Sequence, residues 1–353
     1  MPNGNVVVAW EGRSVILLLA DATDPWSTHV ERELIRRHQP VSRVDPRSLC
    51  GGLSFDWRLE GSSRSSFHSI TPDHVPVEAR AELRAVLVRM QIGALELPED
   101  TFNSEDQVYA QMEWSAALFG WLNALSCPVI NPPVPGRSGR LFPMQASVQG
   151  ALLQLGVAVP PHAVASTRET VLEHYAQWNE LARAQSLGPD AKVHYLQGGD
   201  GHAVVDAMLA HGPILLQAVP EGSPVRAVVV GEEVIGGTRR TAAQDGCLRE
   251  SIWDAAPLPP SLANVCRRLA GVLALPFVDI EMVQGHEGQL SCLGISESPA
   301  YGQYSDRLRH LIVDRLVNLL DNTEERRAHD PYVWPTPRSD HRQPGGAACC
   351  PIS

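Results

Sequence analysis

The sequence predicts an α/β protein of three lobes, and three stretches carry that reading. Near the N-terminus, the apolar run Ser14 to Ala20, a turn over Asp21 to Ser27, an amphipathic stretch from Thr28 to His38 and the short run Val41 to Asp45 make a strand, helix, strand unit. In the middle, the apolar Pro213 to Gln217 leads through a glycine- and proline-bearing turn to a strand pair, Ala227 to Val230 and Val234-Ile235, around Gly231-Glu232-Glu233. Further on, Phe277 to Val283 alternates apolar and acidic residues, Gln284 to Gly288 is a turn, and Gln289 to Ser296 returns as an antiparallel partner. The lobes run 14–128, 129–212 and 213–322, with 323–353 a disordered tail by its charge, proline and lack of periodicity.

Composition bounds the rest. A chain of 353 residues with 44% hydrophobic and 20% charged residues buries a sizeable core, and no apolar run approaches the roughly 18 residues of a membrane span. The N-terminus has no basic segment followed by a signal-length apolar one, so a cytoplasmic location is expected, and seven irregularly spaced cysteines fit reduced thiols. A net charge of −11 argues against a nucleic-acid partner, which needs a concentrated basic face. Lys192 is the only lysine, so the other 28 of the 29 basic side chains are arginine.

Between these anchors the pattern is regular. Leu53 to Leu59 and Ser65 to Ile70 alternate as a hairpin, Val86 to Met90 is a strand, and Asp106 to Leu125 is a helix whose Trp114, Phe119 and Trp121 are core residues. Val129-Ile130 ends in Asn131-Pro132-Pro133, and a loop with Arg137 and Arg140 leads to a helix from Met144 to Leu155. Thr167 to Ala184 has a helical pattern, Val193 to Leu196 is a strand, Gln197 to Gly201 is a glycine-rich turn, and Val204 to Ala210 is helical. Helices are expected at Leu262 to Leu273 and Leu308 to Leu320. The end, Cys350-Pro351-Ile352-Ser353, has the outline of a prenylation box, against which proline as second residue and the bacterial-looking composition both argue.

The order of elements is the informative part. An acidic helix, then CPVINPP, then a helix ending in LQLGVAVPPHAV, then Ser166-Thr167, and finally the acidic hairpin resembles the ATP-grasp ligases of the microviridin type, which modify ribosomally made peptides. The resemblance covers roughly residues 14 to 322 and implies an ATP-grasp-like fold with a nucleotide cleft between the central and C-terminal lobes. It implies ATP and magnesium as cofactors if the chain is active, and none if it is not. A peptide substrate or leader peptide, an intact ATP-grasp partner and further copies of this chain are the partners it suggests.

Carried over residue by residue, the resemblance gives a mixed site. Asp279 matches the first metal-binding carboxylate, and Glu281 would share its face of the strand. The family's Glu-x-Asn falls on Gly294, Ile295 and Ser296, so the second carboxylate is missing unless Glu297 replaces it. One phosphate lysine falls on Phe142 and the other on Tyr195, with Arg140 and Lys192 as the nearest candidate replacements. Gly198, Gly199 and Gly201 would arch over phosphates with their backbone, Gln217 and Val219 would read adenine at the hinge, and Glu221 would reach the ribose. Arg226 and Arg249 match the family arginines of the catalytic cleft.

Two readings stay open on these residues. One is a diverged ATP-grasp protein of peptide maturation whose ATP chemistry has weakened or gone, leaving a peptide- or partner-binding cleft. The other is an active ligase that joins a carboxylate to an amine or hydroxyl through an acyl phosphate.

Overall fold

A computed structural model describes residues 14–45, 83–89, 104–125, 127–132, 140–141, 146–187, 193–240 and 252–322. The hairpin expected over 53–70, the tail, and Arg137, Phe142, Lys192 and Arg249 lie outside the described residues.

The N-terminal unit contains β1 (Val15–Ala20), α1 (Pro25–Arg36), β2 (Val41–Val44), β3 (Leu83–Arg89), α2 (Ser104–Ala124) and β4 (Val129–Ile130). All its strand pairings are parallel, in the order β2-β1-β3-β4. Helix α1 starts three residues before the position read from the sequence. Asp24 caps it by accepting from Ser27 N–H at 2.8 Å, and Pro25 sits where its missing N–H costs nothing. Asp24 also pairs with buried Arg89 at 3.0 Å. Burial works against its charge, but Arg89 and the Ser27 hydrogen bonds outweigh that and hold the carboxyl below its usual range.

Next come β5 (Arg140–Leu141), α3 (Ala146–Gln154), β6 (Val157–Ala158), β7 (His162–Ala165), α4 (Arg168–Gln177), β8 (Leu181–Ser186), β9 (Val193–Gln197), α5 (Asp200–Leu209) and β10 (Ile214–Ala218). The helix read from Thr167 to Ala184 is corrected here: it ends at Gln177, and Leu181–Ser186 is a strand. Asn179 and Glu180 both take left-handed backbone angles, φ 55° and 52°, which no helix continues through. Beyond them Ala182 and Ala184 face a core with Tyr175, Leu196 and Ile214, a period of two that the smallness of alanine hides. Strands β7-β10-β8-β9 form an antiparallel sheet in that order. Strand β10, read as the start of the last lobe, is therefore a central strand of this small sheet.

The last unit is β11 (Ser223–Val230), β12 (Glu233–Arg240), β13 (Ile252–Ala255), α6 (Pro260–Val272), β14 (Phe277–Gln284), β15 (Leu290–Ser296) and α7 (Asp306–Asp321). Their sheet runs β13-β12-β11-β14-β15-β5, with β6 parallel to β15. One face rests on α3 and α6 through Leu152, Leu269, Val278 and Ile280. The other face packs, with α7, directly on the N-terminal unit through Ile16, Trp26, Val228, Phe277 and Ile312. Among the described residues no helix is long and apolar enough to cross a membrane.

Two polar clamps fix that joint. Trp26 Nε1–H donates to Pro299 O at 2.7 Å. Asn131, buried and left-handed at φ 53°, donates its amide to Phe277 O at 2.6 Å and Glu297 O at 2.8 Å and accepts from Phe277 N–H at 3.2 Å. Asparagine suits the position because it tolerates left-handed angles and offers a donor and an acceptor together. The hinge turn has a similar constraint at Gly222, where φ is 146° and a Cβ would come within 2.3 Å of Gln284 O.

Asn131→Ala removes the partner of the buried Phe277 C=O and N–H and one contact of the part-buried Glu297 C=O, and is expected to lower stability by about 2–4 kcal/mol in urea denaturation. Asp24→Asn destabilises the protein at neutral pH. Because the folded carboxyl is held below its ordinary value of 3.8, the gap between wild type and variant persists above that pH and closes as pH falls through the lower folded value, as chemical denaturation across pH will show.

Candidate functional site

The register of the large sheet sets the site. Strand β14 lies between β11 and β15, with Arg226 opposite Glu281 on one side and Gly294 opposite Glu281 on the other. Asp279 stands opposite Ser296 in the same way. Val278, Ile280 and Met282 point into the core beneath the sheet, so strand alternation puts Asp279 and Glu281 on the opposite face. That face is covered: both carboxylate residues and Arg226 are buried.

Arg226 holds the two acids together. Its Nε is 3.2 Å from Asp279 Oδ1 and its Nη2 is 3.3 Å from Glu281 Oε2, while Nη1 donates to Gln303 Oε1 at 2.6 Å. The guanidinium lies 4.9 Å from the centre of the Trp253 ring and 5.7 Å from that of Tyr304, a geometry in which the rings also favour the cation. Burial opposes its charge, yet Asp279 and Glu281 outweigh that and keep it firmly protonated. The Tyr195 hydroxyl donates to Glu281 Oε1 from the small sheet. Burial and then the Glu281 charge push the Tyr195 hydroxyl above its usual range, and burial and Asp279 do the same to Tyr304, so both phenols stay neutral.

A residue the sequence reading missed completes the cluster. Arg183 is the direct cross-strand neighbour of Tyr195 on β8, on the face opposite the alanine core. A Cβ at Gly294 would come within 3.1 Å of its Nη2, so its guanidinium lies against the backbone of β15 at that glycine. The signal was in the sequence as the alternation Leu181-Ala182-Arg183-Ala184-Gln185, but small residues on the core face made it look helical.

The remaining candidates scatter around this centre. Gln217 is buried on β10 in register with Arg183, Val219 is half-buried, and Glu221 is exposed on the turn. Gly198 has φ 58° and its carbonyl accepts from Tyr175 at 2.9 Å, while a Cβ at Gly201 would meet the same hydroxyl at 2.7 Å, so Tyr175 fixes the turn that opens α5. Gly199 is the N-cap of α5. The backbone of Arg140 pairs with Ser296 at the sheet edge. Glu297 follows β15 with its carbonyl held by Asn131. The Ser296 hydroxyl accepts from Ser298 N–H at 3.2 Å.

These residues do not fit a magnesium nucleotide well. A hard cation needs carboxylate oxygens free to turn toward it. Here Asp279 and Glu281 already share Arg226, Gly294 has no side-chain oxygen to offer, and an arginine occupies the space above it. Two arginines against two carboxylates leave the cluster formally neutral. Among the described residues no group of three His, Cys, Asp or Glu side chains is placed to hold a metal ion.

No family model and no curated protein matches the sequence. The fold does have relatives among solved structures. PsnB, an ATP-grasp ligase solved with a variant of its minimal precursor, magnesium and ADP, superposes with a TM-score of 0.62 at 19% identity, over 87% of this chain and 99% of its own. The macrocyclase MdnC from Microcystis aeruginosa MRC, bound to precursor peptide MdnA, gives 0.61 at 15% identity, over 88% and 99%. A RiPP-associated ATP-grasp ligase from Chryseobacterium gregarium, in complex with ADP and with leader and core peptide, gives 0.62 at 15% identity, over 87% and 96%. With nearly the whole length of each of these aligned, the three sheets and the acidic hairpin of this chain have the ATP-grasp fold.

Proposed function

We propose that this protein is a diverged ATP-grasp-fold protein of ribosomal peptide maturation that binds a peptide or a partner protein in its cleft, with ATP-dependent ligation weakened or lost. The observation that carries this is the Arg226 bridge to Asp279 and Glu281, with Arg183 lying over Gly294. An ATP-grasp ligase stabilises a triphosphate with magnesium held by carboxylates. In this chain the cationic and acidic groups at that place satisfy one another, so admitting the metal means breaking a buried ion pair, a step that costs about 3–5 kcal/mol where one partner is lost outright. The peptide side of the proposal is supported by the structural neighbours MdnC, PsnB and the Chryseobacterium ligase, whose structures contain precursor, leader or core peptides.

The test is thermal denaturation with millimolar ATP, with and without magnesium. Ligand at 100 times its dissociation constant stabilises a fold by about 2.7 kcal/mol, which moves a domain of this size by several degrees. We expect no magnesium-dependent shift in the wild-type protein. A clear shift that needs magnesium and disappears in Asp279→Asn restores the ligase reading, with an acyl phosphate as the intermediate.

A further inference from the structure

The small sheet carries three polar groups that the fold leaves unsatisfied. Arg183 Nε, Gln185 Nε2 and Gln217 Oε1 have no hydrogen-bond partner, and their residues are only 5%, 2% and 2% exposed. Among the described residues no carboxylate forms an ion pair with Arg183. A buried guanidinium nitrogen without an acceptor is costly, and an unpartnered amide adds to that.

They also share one face. On β8 and β10 the alternate residues Ala182, Ala184, Ile214 and Leu216 belong to the alanine-rich core, so Arg183, Gln185 and Gln217 point the other way. Gln217 is paired directly with Arg183, and Gln185 follows two residues along the same strand. The nearness of Arg183 to Gly294 shows that this face looks at the large sheet. The three groups therefore lie on the face of the small sheet that is turned to the large one.

Their chemistry restricts what belongs there. The guanidinium calls for an oxyanion, and its planar fork matches a carboxylate. Gly294, against which Arg183 lies, is the cross-strand neighbour of Glu281, so a triphosphate without metal meets repulsion that a single negative charge largely avoids. The Gln217 oxygen calls for an N–H next to that anion. A carboxylate with an amide N–H two bonds from it is the end of a peptide chain, and Gln185 Nε2 is a donor for the second carboxylate oxygen or the preceding carbonyl.

The geometry points to a seat for a peptide C-terminus between the small and large sheets, with the terminal carboxylate on Arg183, its amide N–H on Gln217 and Gln185 as second donor. This rests on the peptide-binding reading above, and names which part of the peptide the site grips.

The full-length protein is titrated into fluorescein-Gly-Ala-Ala-Ala with a free carboxylate and into the same peptide ending in a carboxamide, with anisotropy as readout. The free acid is expected to bind about tenfold or more tightly than the amide, and Arg183→Met to lose about the same factor. Arg183→Met leaves Asp279 and Glu281 with Arg226 alone, so its Tm and circular dichroism are read beside the titration, and a variant that keeps the wild-type spectrum while losing the preference for the free acid separates lost binding from lost folding. Arg183→Lys, which keeps the charge without the fork, and Gln217→Leu are expected to bind with intermediate affinity. Equal binding of acid and amide, no binding of the acid at millimolar concentration, or unchanged affinity in Arg183→Met overturns the assignment. So does competition by inorganic phosphate as strong as that by the acid peptide, which makes the seat a general oxyanion site. Magnesium-ATP is a separate arm: a shift there defeats the preceding reading, whereas failure of the peptide arm with no such shift defeats this one alone.

Discussion

The site is governed by one arginine serving two acids. Arg226 lies one strand away from Asp279 and Glu281, and its fork spans both because residues two apart on β14 point the same way. Each carboxylate alone, buried on that face, would have to give up its charge or find a partner. Arg226 between them is that partner, with Tyr195, Tyr304, Trp253 and Gln303 around it. The same satisfaction makes the acids poor ligands for anything else.

The scaffold around this cluster is held by joints between sheets. The N-terminal unit is welded to the large sheet by a shared core and by the Trp26 and Asn131 clamps, so these two behave as a base. The small sheet has its own core of small residues and meets the base through the Tyr195 to Glu281 hydrogen bond and through Arg183 against Gly294. Glycine at 294 has two consequences at once. It offers no side-chain ligand to a cation, and it allows the small sheet to bring a guanidinium onto the backbone of β15.

Much of this was legible in the residues. The alternation of Phe277 to Val283, the strand, helix, strand start and the order of the proline-rich segments fixed the fold class, because strand periodicity and turn residues are local signals. The pairing of Asp279 and Glu281 with Arg226 was foreshadowed by their shared face. What was hidden is instructive. The strand at Leu181–Ser186 reads as helix because alanine is the best helix former and its burial leaves no bulky apolar mark. Its identity as a strand depends on pairing with β10 and β9, information that is not local. Arg183 was lost with it, and so was the charge that Tyr195 and Phe142 were taken to have removed. Asn131, too, looked like part of a motif, yet its amide ties the start of β14, 146 residues on, to the residue that follows β15, 166 residues on.

The account stands or falls on whether Asp279 and Glu281 are available to a hard cation. Titration of the wild-type protein with manganese, followed by electron paramagnetic resonance of the free ion, measures that directly, since manganese favours the same oxygen ligands as magnesium. The account predicts that the free-ion signal rises in proportion to added manganese to millimolar concentration, with ATP present changing it only by the ion that the nucleotide itself binds. Saturable uptake of one or two ions per chain, lost in Asp279→Asn, would contradict it.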